Sequence, residues 1–90
     1  MRRKGGARFL LPHRGGASVR WNVRRDKYDD GNPYADADLT FGDCGRVACM
    51  DFFAGNKKDA ADNLRKIDRL FAELVKFRAE LVLVNEEFNK

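Results

Sequence analysis

Three side chains of this 90-residue sequence are of types that could coordinate a metal or attack a substrate: His13, Cys44 and Cys49. Together they do not make the two closely spaced pairs of ligands that are typical of a zinc site. Nucleophilic catalysis by Cys44 would need a neighbouring base, and the one histidine lies in a glycine-rich segment near the start of the chain. We therefore predict no catalytic residue, no metal site and no cofactor, and we expect that the chain is not an enzyme.

The aspartates in the middle of the chain suggest calcium binding at first reading. Asp26, Asp30 and Gly31 match part of the start of an EF-hand loop. However, Tyr28 occupies a ligand position, and Ala37 stands where the loop needs its final glutamate. The pattern therefore predicts a polar turn rather than a calcium site.

Positive charge is concentrated at the start of the chain. Residues 1–27 contain nine Lys and Arg against one acid, whereas residues 28–90 contain nine against thirteen. Such asymmetry indicates a basic segment that contacts a polyanion. An acidic loop over residues 29–43 could either be solvated or fold over the basic residues. The candidate nucleic-acid-binding residues are Arg2, Arg3, Lys4, Arg8, Arg14, Arg20, Arg24 and Arg25.

The glycines near the start predict a basic arm over residues 1–17, followed by a single α+β domain over residues 18–90. The arm contains two Gly-Gly pairs, which are typical of loops. Arg14-Gly15-Gly16 is an RGG triplet, and flexible RGG segments bind single-stranded nucleic acid through charge and arginine stacking.

Alternation of apolar and polar residues predicts a small antiparallel sheet of three strands, near residues 18–25, 38–42 and 46–53. In the first strand, Val19, Trp21 and Val23 point to one side, and Arg20 and Arg24 point to the other. Trp21 is therefore expected on the core side of the sheet rather than as a platform on which bases stack. The third strand is apolar on both sides, so we expect it to be central in the sheet.

Apolar residues with a helical period predict one long C-terminal helix over residues 56–84, lying across one face of the sheet. Asn56 is a suitable N-cap because its side-chain oxygen can accept a free N–H of the first turn. A helix of this length spans about 40 Å, against about 17–27 Å for the strands. Its C-terminal end is therefore expected to extend beyond the sheet.

That end of the helix is apolar on every side, which indicates a surface for a second copy or another protein. The alternative is a kink that returns the segment to its own domain. Arg78 lies within the apolar stripe, where a charge needs a partner. The candidate partner interface contains Val75, Arg78, Leu81, Val82, Leu83 and Val84.

These features favour a small non-catalytic nucleic-acid-binding protein that prefers RNA to DNA and forms a homo-oligomer through its helix. The alternative is a protein-binding adaptor or inhibitor, in which the helix docks onto a partner and the basic arm contacts an acidic protein surface. No apolar run approaches the ~20 residues of a membrane span, and two cysteines make no disulfide framework. We therefore expect a cytoplasmic protein without membrane contacts.

Overall fold

The computed structural model describes residues 2–11 and 16–89 of the chain. Contacts between Cα atoms divide it into two units, one ending at Ala60 and the other beginning at Ala61. The elements, in chain order, are β1 (Arg2–Phe9), β2 (Ser18–Lys27), β3 (Pro33–Asp43), β4 (Arg46–Asp51), α1 (Lys57–Asn85) and a short 3-10 helix (Glu86–Asn89).

The strands form one antiparallel sheet in the order β1-β2-β3-β4, and one long helix follows them. The predicted α+β class is confirmed. The predicted number of strands is wrong, because Arg2–Phe9 adds a fourth strand at one edge of the sheet. This segment lacks the alternation of apolar and polar residues that marks a half-buried strand, and two glycines interrupt it.

The acidic segment that we expected to be a loop is mostly strand. β2 continues to Lys27 and β3 begins at Pro33, so the connection is a short turn between two long strands. Gly31 takes a φ of 85°, and its N–H donates to the Tyr28 carbonyl at 2.8 Å. The sequence prediction was wrong here because turn-forming residues continue into the strand itself.

A two-residue loop joins β3 to β4. Asp43 pairs with Arg46, and the two residues between them, Cys44 and Gly45, have φ angles of 50° and 78°. Positive φ at both positions is the property of the type I′ turn, whose twist matches that of the flanking strands.

The pairing register gives the sheet one mostly apolar face, because directly opposite residues point to the same side. Ala54, which bridges to Ala35, is the one buried apolar residue among the described parts of the chain. We call this side the apolar face; besides these two alanines it carries Val19, Trp21, Val23, Ala37, Leu39, Phe41, Ala48 and Met50.

The opposite side of the sheet, which we call the polar face, carries mainly charged and hydroxyl side chains of β2 and β3. β4 also contributes Val47 and Cys49 to this face, and Val47 is strongly exposed. The expectation of a central β4 is wrong, because β4 is the edge strand opposite β1. A strand that is apolar on both sides is therefore not necessarily flanked by two others.

The helix begins where the sequence predicts. The Asn56 side-chain oxygen accepts the N–H of Asp59 at 2.8 Å, and the Asn56 carbonyl accepts the N–H of Ala60 at 3.1 Å. None of the residues of α1 is buried. The prediction that the helix crosses one face of the sheet stays a prediction. Across the described residues, no helix combines the length and the apolar composition that crossing a membrane requires.

Candidate nucleic-acid interface

The β1–β2 hairpin brings arginines of distant sequence positions directly opposite each other. In its register Arg2 pairs with Arg25, and Arg3 pairs with Arg24. Opposite residues of an antiparallel pair have Cβ atoms about 4.5–5.5 Å apart, and like charges at that distance destabilise the sheet. Each of the two arginine pairs therefore forms a site that an anion would stabilise, and the two pairs lie on opposite faces of the sheet because they are adjacent in the register.

The basic residues predicted to bind nucleic acid lie on both sides of this hairpin. The apolar face carries Arg2, Lys4 and Arg8 of β1 and Arg25 of β2, and the polar face carries Arg3, Arg20 and Arg24. Arg14 lies outside the described residues. Lys27, which the sequence prediction omitted, ends β2 on the same side as Arg25.

Few carboxylates accompany these cations. β1 and β2 together contain eight Arg and Lys and one acid, Asp26. The Asp26 carboxylate accepts the backbone N–H of Lys27 at 2.8 Å. Within residues 2–11 and 16–89, no Arg or Lys of β1 or β2 forms an ion pair within 4.0 Å. No direct ion pair among these residues therefore neutralises the hairpin, and Asp36 on β3 is the carboxylate opposite Arg24 in the register.

Among the members of the basic set that the structure describes, Arg24 alone is half-buried. Its guanidinium carbon lies 5.9 Å from the centroid of the Tyr34 ring, within the range of a cation–π interaction. Tyr34 in turn stacks on Tyr28 at 4.6 Å and on Phe53 at 6.3 Å between centroids. These rings restrain Arg24 next to Arg3.

The polar face has a basic half and an acidic half. Arg24 has Arg3 opposite it on β1 and Asp36 opposite it on β3. Further along β3, Asp38 accepts a hydrogen bond from the Asn22 amide at 3.2 Å and pairs in register with Asp51. The acidic residues of β3 thus lie beside the basic strand, in the same sheet.

Trp21 lies on the apolar face and remains 37% exposed. It pairs in register with Gly6, and a methyl group added to Gly6 would lie 2.7 Å from the indole Nε1. The glycine therefore leaves the space that the indole occupies. Lys4 and Arg8 flank this position along β1.

All six residues of the predicted partner interface are exposed along α1. At 100° per residue they are distributed around the helix rather than along one side of it, because Leu81, Val82, Leu83 and Val84 are consecutive. A flat partner could therefore contact only part of this set.

The cysteines offer little chemistry. Both are free and exposed. A hydrogen bond with the Asp43 side chain, reinforced by the negative charge of that carboxylate, raises the pKa of the Cys44 thiol, which makes it a poorer nucleophile at neutral pH. His13 lies outside the described residues, and within those residues no group of three His, Cys, Asp or Glu side chains could hold a metal ion.

The sequence prediction missed the pairing of β1 with β2, and with it the two opposed arginine pairs. Composition alone indicated the basic segment, but the register depends on backbone pairing that no side-chain pattern in Arg2–Phe9 marks. No protein-family model, curated protein or solved structure matches this chain.

Proposed function

We propose that this chain binds nucleic acid, RNA in preference to DNA, through the basic β1–β2 hairpin. The observation that carries the proposal is the pairing of Arg2 with Arg25 and of Arg3 with Arg24 in a hairpin of eight cations and one acid. Placing like charges in register costs stability, and phosphate groups bound between them remove that cost.

The expected mode of binding is to the sugar–phosphate backbone. Arginine forms bidentate hydrogen bonds with phosphate, and contacts of this kind position a protein on nucleic acid without reading its sequence. Arg20 and Arg24 lie four residues apart on one face of β2, about 13 Å along the strand. Together with Arg3, they form a row that could follow a flexible strand of RNA.

The preference for RNA rests on the segment that precedes β2. The RGG triplet Arg14-Gly15-Gly16 is of the kind that binds single strands. Unstacked bases are more common in RNA loops and bulges than in duplex DNA. We further propose that the protein acts as a homo-oligomer, since two copies bring two hairpins to one strand.

The test is fluorescence anisotropy of labelled single-stranded RNA, duplex RNA, single-stranded DNA and duplex DNA across a series of salt concentrations. The informative variant is Arg2→Gln with Arg3→Gln, because it removes one member of each arginine pair and relieves repulsion within the sheet. The matched control is Arg46→Gln with Arg69→Gln, which removes the same charge from β4 and from the helix.

We expect single-stranded RNA to bind most tightly. The Arg2/Arg3 variant should lower the slope of log K against log salt by about 1.4, since each phosphate contact on a single strand contributes about 0.7. The Arg46/Arg69 control should leave that slope unchanged. Equal effects of the two variants, or no binding of the wild-type chain near 0.1 M salt, would contradict the proposal.

A second candidate function is a protein-binding adaptor or inhibitor. The observation in its favour is the exposure of consecutive apolar residues at the end of α1, from Leu81 to Val84. The substitutions Leu81→Asp with Val84→Asp separate the two functions. They should abolish capture of a protein partner, whereas nucleic-acid binding should only weaken through the loss of avidity.

A further inference from the structure

The helix carries a seven-residue repeat of large apolar side chains. Positions a and d of this repeat are occupied from residue 67 onwards by six residues, which we call the seam: Ile67, Leu70, Leu74, Phe77, Leu81 and Val84. Ala60 and Asn63 precede them at the same spacing. The seam contains three a/d pairs, which is the lower limit at which apolar a and d positions indicate a coiled coil.

Four of the six seam residues are exposed, whereas Ile67 and Leu70 are half-buried. Leu74, Phe77, Leu81 and Val84 are 48%, 63%, 43% and 60% exposed. If a large apolar side chain offers about 200 Å² when fully exposed, these four residues together with the flanking Leu64 and Phe71, which are 65% and 68% exposed, present at most about 1,400 Å² on two helices. That area exceeds the lower limit of about 1,000 Å² for a stable protein interface.

We propose that two copies of this chain associate through the seam as a parallel, in-register coiled coil. In that arrangement a residue at position g faces the residue five positions later in the second copy. Glu73 is at position g and Arg78 is at position e, so Glu73 of each copy faces Arg78 of the other. The two ion pairs account for the charge of Arg78 beside an apolar surface.

An antiparallel pair with the same seam buried is less favourable. It would place Leu70 opposite Leu81 of the second copy and Ile67 opposite Val84. Glu73 would then face Glu80 of the second copy, because both occupy position g. The two carboxylates would repel each other. The charges at the borders of the seam therefore select the parallel orientation.

The proposal refines the interface predicted from the sequence. Leu81 and Val84 belong to the seam, and Arg78 borders it. Val75 and Val82 are at position b, more than 100° from the centre of the seam, and Leu83 is at position c. These three side chains would face away from the second copy. The proposal does not rest on nucleic-acid binding, since it uses residues of the helix alone.

The first test is the mass of the full-length chain in solution, measured by light scattering and by sedimentation. The seam variant is Leu74→Glu with Leu81→Glu. Its matched control is Val75→Glu with Val82→Glu, one residue further along, where the valines are 55% and 44% exposed. We expect a dimer for the wild type and the control, and a monomer for the seam variant. A monomeric wild type, or a control that loses dimerisation as fully as the seam variant, would overturn the proposal.

The second test determines the orientation and does not depend on destabilising substitutions. In a chain with Cys44→Ser and Cys49→Ser, Val84→Cys places one thiol at position d. A parallel pair brings the two thiols together, so oxidation should link most of the protein as a dimer. Ala79→Cys, at the outer position f, is the control and should remain unlinked. A Val84→Cys chain that links only to a chain carrying Ile67→Cys would show the antiparallel pair and refute the proposal.

The third test addresses the ion pairs. Glu73→Arg alone and Arg78→Glu alone should each weaken dimerisation by about tenfold, because each creates two repulsive contacts. The double exchange should restore the dissociation constant of the wild type. Glu73 also contacts Lys76 of its own helix at 3.2 Å, and this contact is lost in both proteins with Glu73→Arg. The double exchange is therefore compared with Glu73→Arg alone. If its dimer does not have a lower dissociation constant than that of Glu73→Arg, Glu73 and Arg78 do not pair between copies.

Discussion

The contact between Gly6 and Trp21 gives the sharpest test of the fourth strand. A Cβ atom at Gly6 would lie 2.7 Å from Nε1, 2.9 Å from Cε2 and 3.0 Å from Cζ2 of the indole. Carbon atoms in ordinary contact are about 3.5–4.0 Å apart. In the substitution Gly6→Ala, the indole must therefore move outward by about 1 Å or β1 must shift in the sheet.

Two opposing effects determine how much Gly6→Ala changes the free energy of unfolding. Overpacking costs about 1–3 kcal/mol, whereas replacing glycine with alanine in a strand recovers about 0.5–1 kcal/mol. We expect Gly6→Ala to lower the free energy of unfolding by about 1 kcal/mol. For a domain of this size that corresponds to a fall of about 4–8 °C in Tm.

Thermal unfolding and tryptophan fluorescence measure the two parts of this prediction. Trp21 is the one tryptophan of the chain, so a shift of its emission to longer wavelength reports that the indole has moved into water. Gly16→Ala is the control, because a Cβ at Gly16 meets no atom of the described residues within 4 Å. In a chain that also carries Trp21→Leu, Gly6→Ala should lower the free energy of unfolding much less, because the indole with which the new methyl group would clash is absent. An unchanged Tm together with an unchanged emission maximum for Gly6→Ala would refute the packing of Trp21 against β1.

Three further predictions concern the turn after β3 and the start of the helix. Cys44→Asn should raise the free energy of unfolding in urea by about 0.5–1 kcal/mol, because asparagine tolerates the positive φ of 50° at this position better than cysteine does. Asn56→Ala should lower it by about 1 kcal/mol through loss of the hydrogen bond to the Asp59 N–H, and an Asn56→Ser variant that loses as much would contradict a capping role. Asp43→Asn should speed alkylation of Cys44 at pH 8 in a Cys49→Ser chain, since the Asp43 carboxylate raises the pKa of this thiol and so reduces its thiolate fraction; an unchanged rate would exclude that influence.

The accuracy of the sequence predictions followed the strength of the local pattern. The helix was predicted to within one residue at each end, because an N-cap at Asn56 and a long apolar period agree. The faces of β2 were also predicted, since Val19, Trp21 and Val23 alternate with polar residues. Alternation in a half-buried strand directly reports which side chains share a face.

The predictions failed where backbone pairing, rather than side-chain pattern, determines the structure. β1 contains Gly5, Gly6 and mainly basic residues, so its sequence resembles a flexible arm even though its backbone pairs with β2. β4 resembles a central strand, yet it lies at an edge of the sheet. The strand order depends on which backbones pair, and the composition of a single strand does not specify its neighbours.

The order of the strands has a consequence for how quickly the sheet can form. Every pairing joins strands that are neighbours in the chain, and the β2–β3 and β3–β4 connections are short. The entropy lost in closing a loop grows with its length, so both hairpins can form early with little loss. The connection from β1 to β2 is the longest of the three, so we expect β1 to be the last strand to pair. We expect the sheet to refold faster than sheets of similar size whose pairings join distant segments, because its contacts are close in sequence.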